Sequence, residues 1–231
     1  MAVALITGAS RGFGRAVARS LALDGWSLVL DARGAPALEL VTTELAELTD
    51  VRGIAGDVTD AWHRERLVAE ADALGGLDLL VNNASGLGPS PQPVLAVYPL
   101  DVLRSVYEVN VVAPLALVQT ALPLLRSSHG TIVNVTSDAA REPYEGWGGY
   151  GSSKAALEQW GNIHGAEEPD VRVYTFDPGD MRTQMHQEAF PGEDISDRPL
   201  PATVVPAVIG LLRDSPPSGR YRASELVEVA S

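Results

Sequence analysis

The chain contains no cysteine, which excludes disulfides, thiolate nucleophiles and cysteine-ligated metals. Histidine is also sparse. His63, His129, His164 and His186 show no His-x-x-x-His or similar ligand spacing, so no metal site is expected. No run of about 18 apolar residues is present, so no membrane span is expected. A strand-like segment begins at the N-terminus and leaves no room for a signal peptide, which points to the cytoplasm. Positive charge is scarce as well. A net charge of −13 opposes nucleic acid and anionic membranes as partners. The scarcest charged residue is lysine: of the 17 Lys and Arg side chains, only Lys154 is lysine.

That lone lysine lies four residues after Tyr150 in Tyr-Gly-Ser-Ser-Lys. Arginine keeps its proton and spreads its charge over a planar fork, whereas lysine carries a compact and tunable point charge. Residues one helical turn apart share a face. A free phenol titrates at about 10, too high for proton exchange near neutrality. A neighbouring ammonium favours phenolate, so Lys154 is expected to lower the Tyr150 pKa toward the working range.

Short apolar runs alternate with amphipathic stretches along the chain. Ala2–Thr7, Ser27–Ala32, Val51–Ala55, Leu77–Asn82, Thr131–Thr136 and Val171–Phe176 read as buried strands. Helical patterns cover about Phe13–Leu23, Pro36–Leu48, Ala61–Leu74, Leu100–Leu125 and Ser152–Gly165. This alternation predicts an α/β fold whose parallel sheet is covered on both faces. No linker divides it, so 1–231 is read as a single domain. Two segments leave strand ends as loops, about 85–99, rich in Pro and Gly, and 184–201, polar with three prolines. Loops at that edge are expected to border a ligand and to act as lids.

Thr7-Gly8-Ala9-Ser10-Arg11-Gly12-Phe13-Gly14 follows the first strand and opens the first helix. Glycine lets a pyrophosphate approach the backbone, and the helix N-terminus attracts it. Thr-Gly-x-x-x-Gly-x-Gly resembles the cofactor turn of the short-chain dehydrogenase/reductase family. Other hallmarks of that family follow in order. Asn82-Asn83-Ala84-Ser85 resembles its Asn-Asn-Ala-Gly, with Ser85 replacing the last glycine. Asn110 matches its helix asparagine, Ser137 precedes Tyr-x-x-x-Lys, and Asp177-Pro178-Gly179 with Thr183 follows the sixth strand. The stretch between Lys154 and Val171 is short, and the family's C-terminal tail is not evident after Tyr221.

The resemblance implies a three-layer, doubly wound Rossmann fold with seven mainly parallel strands in the order 3-2-1-4-5-6-7 and helices on both faces. It implies Tyr150 as general acid or base, Lys154 holding the nicotinamide ribose and Ser137 positioning the substrate oxygen. Asn110 would help to hold a water that links Lys154 to solvent. Gly8, Ser10, Gly12, Phe13 and Gly14 would cradle the cofactor. Asp57 and Val58 would meet the adenine, while Asn82, Asn83 and Ala84 would border the adenine-side ribose and the sheet centre. Pro178 and Gly179, with Met181 and Thr183, would meet the nicotinamide or the phosphates.

The end of the second strand separates NAD from NADP, because a carboxylate pairs with a ribose 2′-OH and arginine accepts a 2′-phosphate. Ala32 stands at the acid position and Arg33 follows it, with Arg11 as a second cation for the same phosphate. This favours NADP(H) over NAD(H). A one-residue slip would put Asp31 on the 2′-OH and favour NAD. Tyr98, Tyr144, Trp147, Met181 and Met185 are read as apolar pocket walls. Asp138, Glu142 and Glu145 disfavour a carboxylate-bearing substrate. The reading is an NADP(H)-dependent oxidoreductase, a carbonyl reductase or alcohol dehydrogenase. It would transfer hydride between nicotinamide and a neutral ketone, aldehyde or secondary alcohol. The alternatives are an NAD-dependent alcohol dehydrogenase with the same tetrad and a non-catalytic NADP-sensing regulator. The apolar helix from Leu100 and its partner from Ser152 imply a homodimer or homotetramer by resemblance.

Overall fold

The computed structural model describes residues 1–227; residues 228–231 of the expected domain lie outside them. Seven strands form one sheet: β1 Val3–Ile6, β2 Ser27–Ala32, β3 Val51–Ala55, β4 Leu79–Asn82, β5 Thr131–Val135, β6 Arg172–Asp177 and β7 Gly219–Arg222. Every pairing is parallel, in the order β3-β2-β1-β4-β5-β6-β7. β1, β2, β4, β5 and β6 are largely apolar because both faces are buried, whereas β3, expected as a buried strand, lies at the sheet edge with only Ile54 buried. Ala4, Ile6, Leu28, Leu30, Leu79 and Val81 face one core. Their alternates Val3, Leu5, Val29 and Leu80 face the other. A period of two thus feeds two layers.

The first core is closed by α1 (Gly12–Leu23), α2 (Ala35–Ala46) and α8 (Pro201–Asp214), through residues such as Val17, Leu38 and Val208. The second is closed by α3 (Ala61–Ala73) and α5 (Ala113–Ser128), through Leu67, Leu117, Val118 and Leu125. Trp160 of α6 (Gly148–Glu167) packs onto that same core. The short α7 (Gln184–Ala189) and α9 (Ala223–Val227) complete the helices.

Several elements differ from the sequence reading. The expected helix Leu100–Leu125 is α4 (Leu100–Tyr107), a π-helical turn at Glu108–Val112, and then α5. Pro114 has no N–H, so the carbonyl of Asn110 loses its α-helical donor, and the ladder widens at that point. By length and composition the continuous stretch Leu100–Ser128 could cross a membrane, contrary to the expectation that no such segment exists. Here it carries Leu117, Val118, Ala121 and Leu125 into the second core. The polar segment 184–201 holds α7, and Pro201, which reads as loop, instead opens α8 at a position where its missing N–H costs nothing. β7 escapes an apolar-run search because it is a polar edge strand, Gly-Arg-Tyr-Arg, partly exposed throughout. Consecutive strands leave β1 on opposite sides, toward β2 and toward β4, so the sheet's switch point lies at its C-terminal edge, where open α/β sheets bind ligands.

Candidate active site

A cleft of about 1330 Å³ opens over that edge. The glycine turn forms its floor. Gly8 (φ 64°) and Gly12 (φ 57°) occupy left-handed backbone that side chains disfavour. Thr7 Oγ1 accepts from the backbone N–H groups of Asn83 and Ala84, both at 3.0 Å. Asn83 Nδ2 donates to the carbonyls of Thr7 and Gly8 at 2.9 and 3.1 Å. The β4 end thereby pins the turn. Arg11 caps α1 without a side-chain hydrogen bond, and no acid stands in the first turn. The first N–H groups of α1 are therefore directed at the cleft, a seat for an anionic diphosphate. Gly8, Ser10, Arg11, Gly12 and Phe13 line it, as do Asn83 and Ala84. Gly14 does not. It lies behind the turn, where a Cβ would come 2.5 Å from Asn83 Nδ2, so its smallness serves packing rather than contact.

Arg33, Asp57 and Val58 line the β2–β3 end of the cleft. Asp57 accepts from Thr59 N and Oγ1 at 2.9 and 2.8 Å. Burial raises its pKa, but these donors and Arg33 outweigh burial and hold the carboxyl below its ordinary value. Asp31 lines the cleft wall but is only 2% exposed. Its Oδ1 meets His63 Nε2 at 2.6 Å and its Oδ2 accepts weakly from Gly8 N at 3.5 Å. Arg11, expected beside Arg33, instead donates through Nη1 to Gln184 of α7. Two cations missed in sequence, Arg15 and Arg19, also line the cleft and pair with Glu44. Arg11, Arg15 and Arg19 recur every fourth residue, which is the signal that could have found them.

At the other end, Ser137, Tyr150 and Lys154 all line the cleft. Lys154 Nζ donates to the Val135 carbonyl at 2.8 Å and sits 5.5 Å from the centroid of the Tyr150 ring. The expected pKa order is reversed. Burial pushes the Tyr150 phenol upward, and the hydroxyls of Ser85 and Ser137 offset it only partly. Burial pushes the Lys154 ammonium down to about 7. The sequence spacing correctly pairs the two groups, but desolvation rather than the ammonium sets the phenol here. Ser85 is a second missed neighbour, and the departure from Asn-Asn-Ala-Gly was its signal.

Lys154 makes stability depend on pH. Its folded pKa, about 7, lies below its ordinary 10.5, so between these values the unfolded chain binds more protons. Stability then rises with pH across that window and the burial cost is fully present below it. Lys154→Met should gain most over the wild type at and below neutrality, with the gap shrinking toward about pH 10. Urea melts along a pH series measure this; a gap that does not vary with pH contradicts it.

Asn110, on the π-helical turn, is 1% exposed and does not line the cleft. Its Nδ2 donates to Gly86 O and Ser153 Oγ, both at 2.9 Å. Its Oδ1 accepts from Gly86 N and Ser85 Oγ at 2.8 and 3.1 Å. The side chain braces the β4 loop against α6 and has no capacity left for a water. Ser137 Oγ donates to Asp138 Oδ1 at 3.0 Å, and Asp138 Oδ2 accepts from Tyr144 OH at 3.0 Å.

Tyr144, Trp147, Met181 and Met185 line the open end of the cleft, with Asp138 and Glu145. Tyr98 and Glu142 do not. Tyr98 is buried against Gly88 and Gly149, whose missing Cβ atoms make room for its hydroxyl. Pro178, Gly179 (φ 71°), Met181 and Thr183 form the wall after β6. Thr183 caps α7 by accepting from His186 N at 3.1 Å, and its methyl group lies over Gly12.

A model described as short chain dehydrogenase matches residues 2–194. The serine 3-dehydrogenase of Agrobacterium fabrum is 37% identical over 187 residues, 78% of this chain and 72% of that protein. The sepiapterin reductase of Meriones unguiculatus is 39% identical over 202 residues, 81% of this chain and 77% of that protein. A Shigella flexneri structure described as a short chain dehydrogenase complexed with NADP has a TM-score of 0.89 at 30% identity, covering 96% of this chain and 97% of that one. The alcohol dehydrogenase of Thermococcus sibiricus complexed with 5-hydroxy-NADP has a TM-score of 0.86 at 31% identity, covering 96% and 95%. With its parallel sheet, its pinned glycine turn and these likenesses over most of its length, the chain belongs to the short chain dehydrogenases, a family of oxidoreductases.

Proposed function

We propose that this oxidoreductase is an NADP(H)-dependent reductase of a small neutral carbonyl compound, with Tyr150 as the proton donor. The observation that carries the reading is the shared cleft: Tyr150 and Lys154 open onto the same space as an uncapped helix N-terminus and Arg33. Gly8 and Gly12 with the first N–H groups of α1 would hold the diphosphate, Arg33 the 2′-phosphate, and Asp57 with Val58 the adenine. Thr183 and Met181 would border the nicotinamide end. When bound, the nicotinamide supplies or accepts the hydride equivalent that no side chain can provide.

The protein's own groups handle the proton. Tyr150 would give its phenol proton to the carbonyl oxygen; burial pushes that phenol up and makes it a weaker acid, so donation would lean on positive charge at Lys154. Lys154, charged below about pH 7, would stabilise the phenolate left behind. Ser137 would align the substrate oxygen after exchanging its bond to Asp138. The side chain of Asn110 is committed to Gly86 and Ser153, so a water on the proton path would rest on its main-chain carbonyl, whose α-helical donor Pro114 removes.

Asp138 and Glu145 on the wall oppose an anionic substrate, and the names of the Agrobacterium and Meriones relatives, a dehydrogenase and a reductase, support a hydroxyl or carbonyl group as the reacting centre. Segments 85–99 and 184–201 would border the substrate. Leu100, Val112 and Ile163 of the α4–α6 segments stay exposed, which supports a homo-oligomer built there. The engagement of Asp31 Oδ1 by His63 favours NADP over the NAD alternative, because it occupies one acceptor that a ribose 2′-OH could use. Arg33→Ala should weaken NADPH binding about 10- to 100-fold and leave NADH binding nearly unchanged, a loss the size of one charged hydrogen bond. Fluorescence titration with both nucleotides reads this, and equal losses for the two would refute the Arg33 assignment.

A further inference from the structure

We propose that His63 is a positioning residue that sets cofactor preference by holding the Asp31 carboxylate away from the cofactor ribose. The inference rests on the NADP(H) reading above and deepens it.

Asp31 is an acid at the carboxyl end of β2, beside the glycine turn and on the wall of the cleft. An acid in that neighbourhood, left free, offers an acceptor to a ribose 2′-OH and repels a 2′-phosphate. Here it is not free. His63 of α3 reaches across from a position 32 residues away and meets Oδ1 at 2.6 Å. Asp31 is 2% exposed and His63 8% exposed, so the contact is shielded from water. One proton lies between the two groups, whichever of them carries it. Either way, that oxygen is no longer available to a ligand.

The imidazole seat is built into the fold. His63 projects from the first turn of α3, which Asp60 caps by accepting from Trp62 N at 2.9 Å. The ring lies against Gly56, where any Cβ would collide with it. The other charges near the pair are Asp57, which repels Asp31, and Arg33, which faces Asp57. Neither replaces the imidazole at Oδ1. Arg33 at the rim is then the charge that a 2′-phosphate meets first.

The test measures dissociation constants of NADPH and NADH by nicotinamide fluorescence on the full chain, without substrate. His63→Phe keeps a ring in the seat and removes the hydrogen bond. It should lower the NADPH-over-NADH preference about tenfold, a coupling of ordinary size for a contacting pair. Asp31→Leu added to His63→Phe should restore the preference, because the released acceptor is gone. A merely structural His63 would weaken both nucleotides alike, and Asp31→Leu would restore nothing; either result overturns the proposal. Gly56→Ala is an independent route, since it displaces the His63 ring without altering either partner, and it should lower the same ratio. A wild type that prefers NADH would count against the NADP(H) reading itself, and that outcome is visible before any variant is made.

Discussion

Tyr150→Phe is expected to lose about 10²- to 10⁴-fold in turnover, the usual contribution of a positioned proton donor. The ring would remain. It packs edge-on against Trp147 at 5.8 Å between centroids, and phenylalanine keeps that contact. The volume inside the buried first turns of α6 is likewise preserved. Only the hydroxyl goes, and with it the proposed proton donor. Binding of NADPH should change little, so a titration of the variant and its kcat with a ketone panel separate chemistry from folding. A kcat within about tenfold of wild type would remove Tyr150 from the mechanism.

The second large effect is Lys154→Arg, which conserves charge. Lys154 is 2% exposed and donates to the Val135 carbonyl. A guanidinium is wider and planar, and overpacking a buried site costs about 1–3 kcal/mol. A shift of about 1 Å at a reacting group can cost about 100-fold, so kcat/KM should fall by at least that factor. The pH profile supplies a second readout. Lys154 loses its proton near 7, and the charged form stabilises the phenolate formed on donation. Reduction by the wild type should therefore slow as pH rises through about 7. Arginine stays charged, so the variant's weaker activity should be level across that range. A wild-type rate and profile in the arginine variant would mean that the single lysine is incidental.

The legible part of this protein is the part written at short range. Strands buried on both faces must be largely apolar, so β1, β2, β4, β5 and β6 could be read from their apolar runs, and β3 from its apolar Val51, Ile54 and Ala55 although only Ile54 is buried. β7 could not, because an edge strand half open to solvent is free to be polar. α8 was hidden by Pro201, which opens the helix where no N–H is needed, and by Pro206, which lies inside it and leaves the Ala202 carbonyl without its α-helical donor. Most expected cofactor positions do line the cleft, since the glycine turn and the β4 end are contiguous motifs. Gly14, Asn82 and Asn110 are the exceptions: all three support the site from behind, Asn82 by donating to Asn134 Oδ1, a distinction that spacing cannot make.

By itself the sequence determined which groups sit together on one element. Tyr150 and Lys154 share a helix face because 3.6 residues make a turn, and the glycines meet α1 because the chain passes directly from strand to helix. Tertiary structure alone decided the charge states and the partners. Whether the phenol or the ammonium yields depends on how much water is removed from each, and the groups packed on them, Leu87, Ala139 and Met185 at Tyr150 and the Val135 carbonyl at Lys154, come from distant segments. Whether Asp31 faces a ligand depends on an imidazole 32 residues away. Desolvation and pairing are properties of the packed interior, where segments distant in the chain become neighbours, and no local pattern records them.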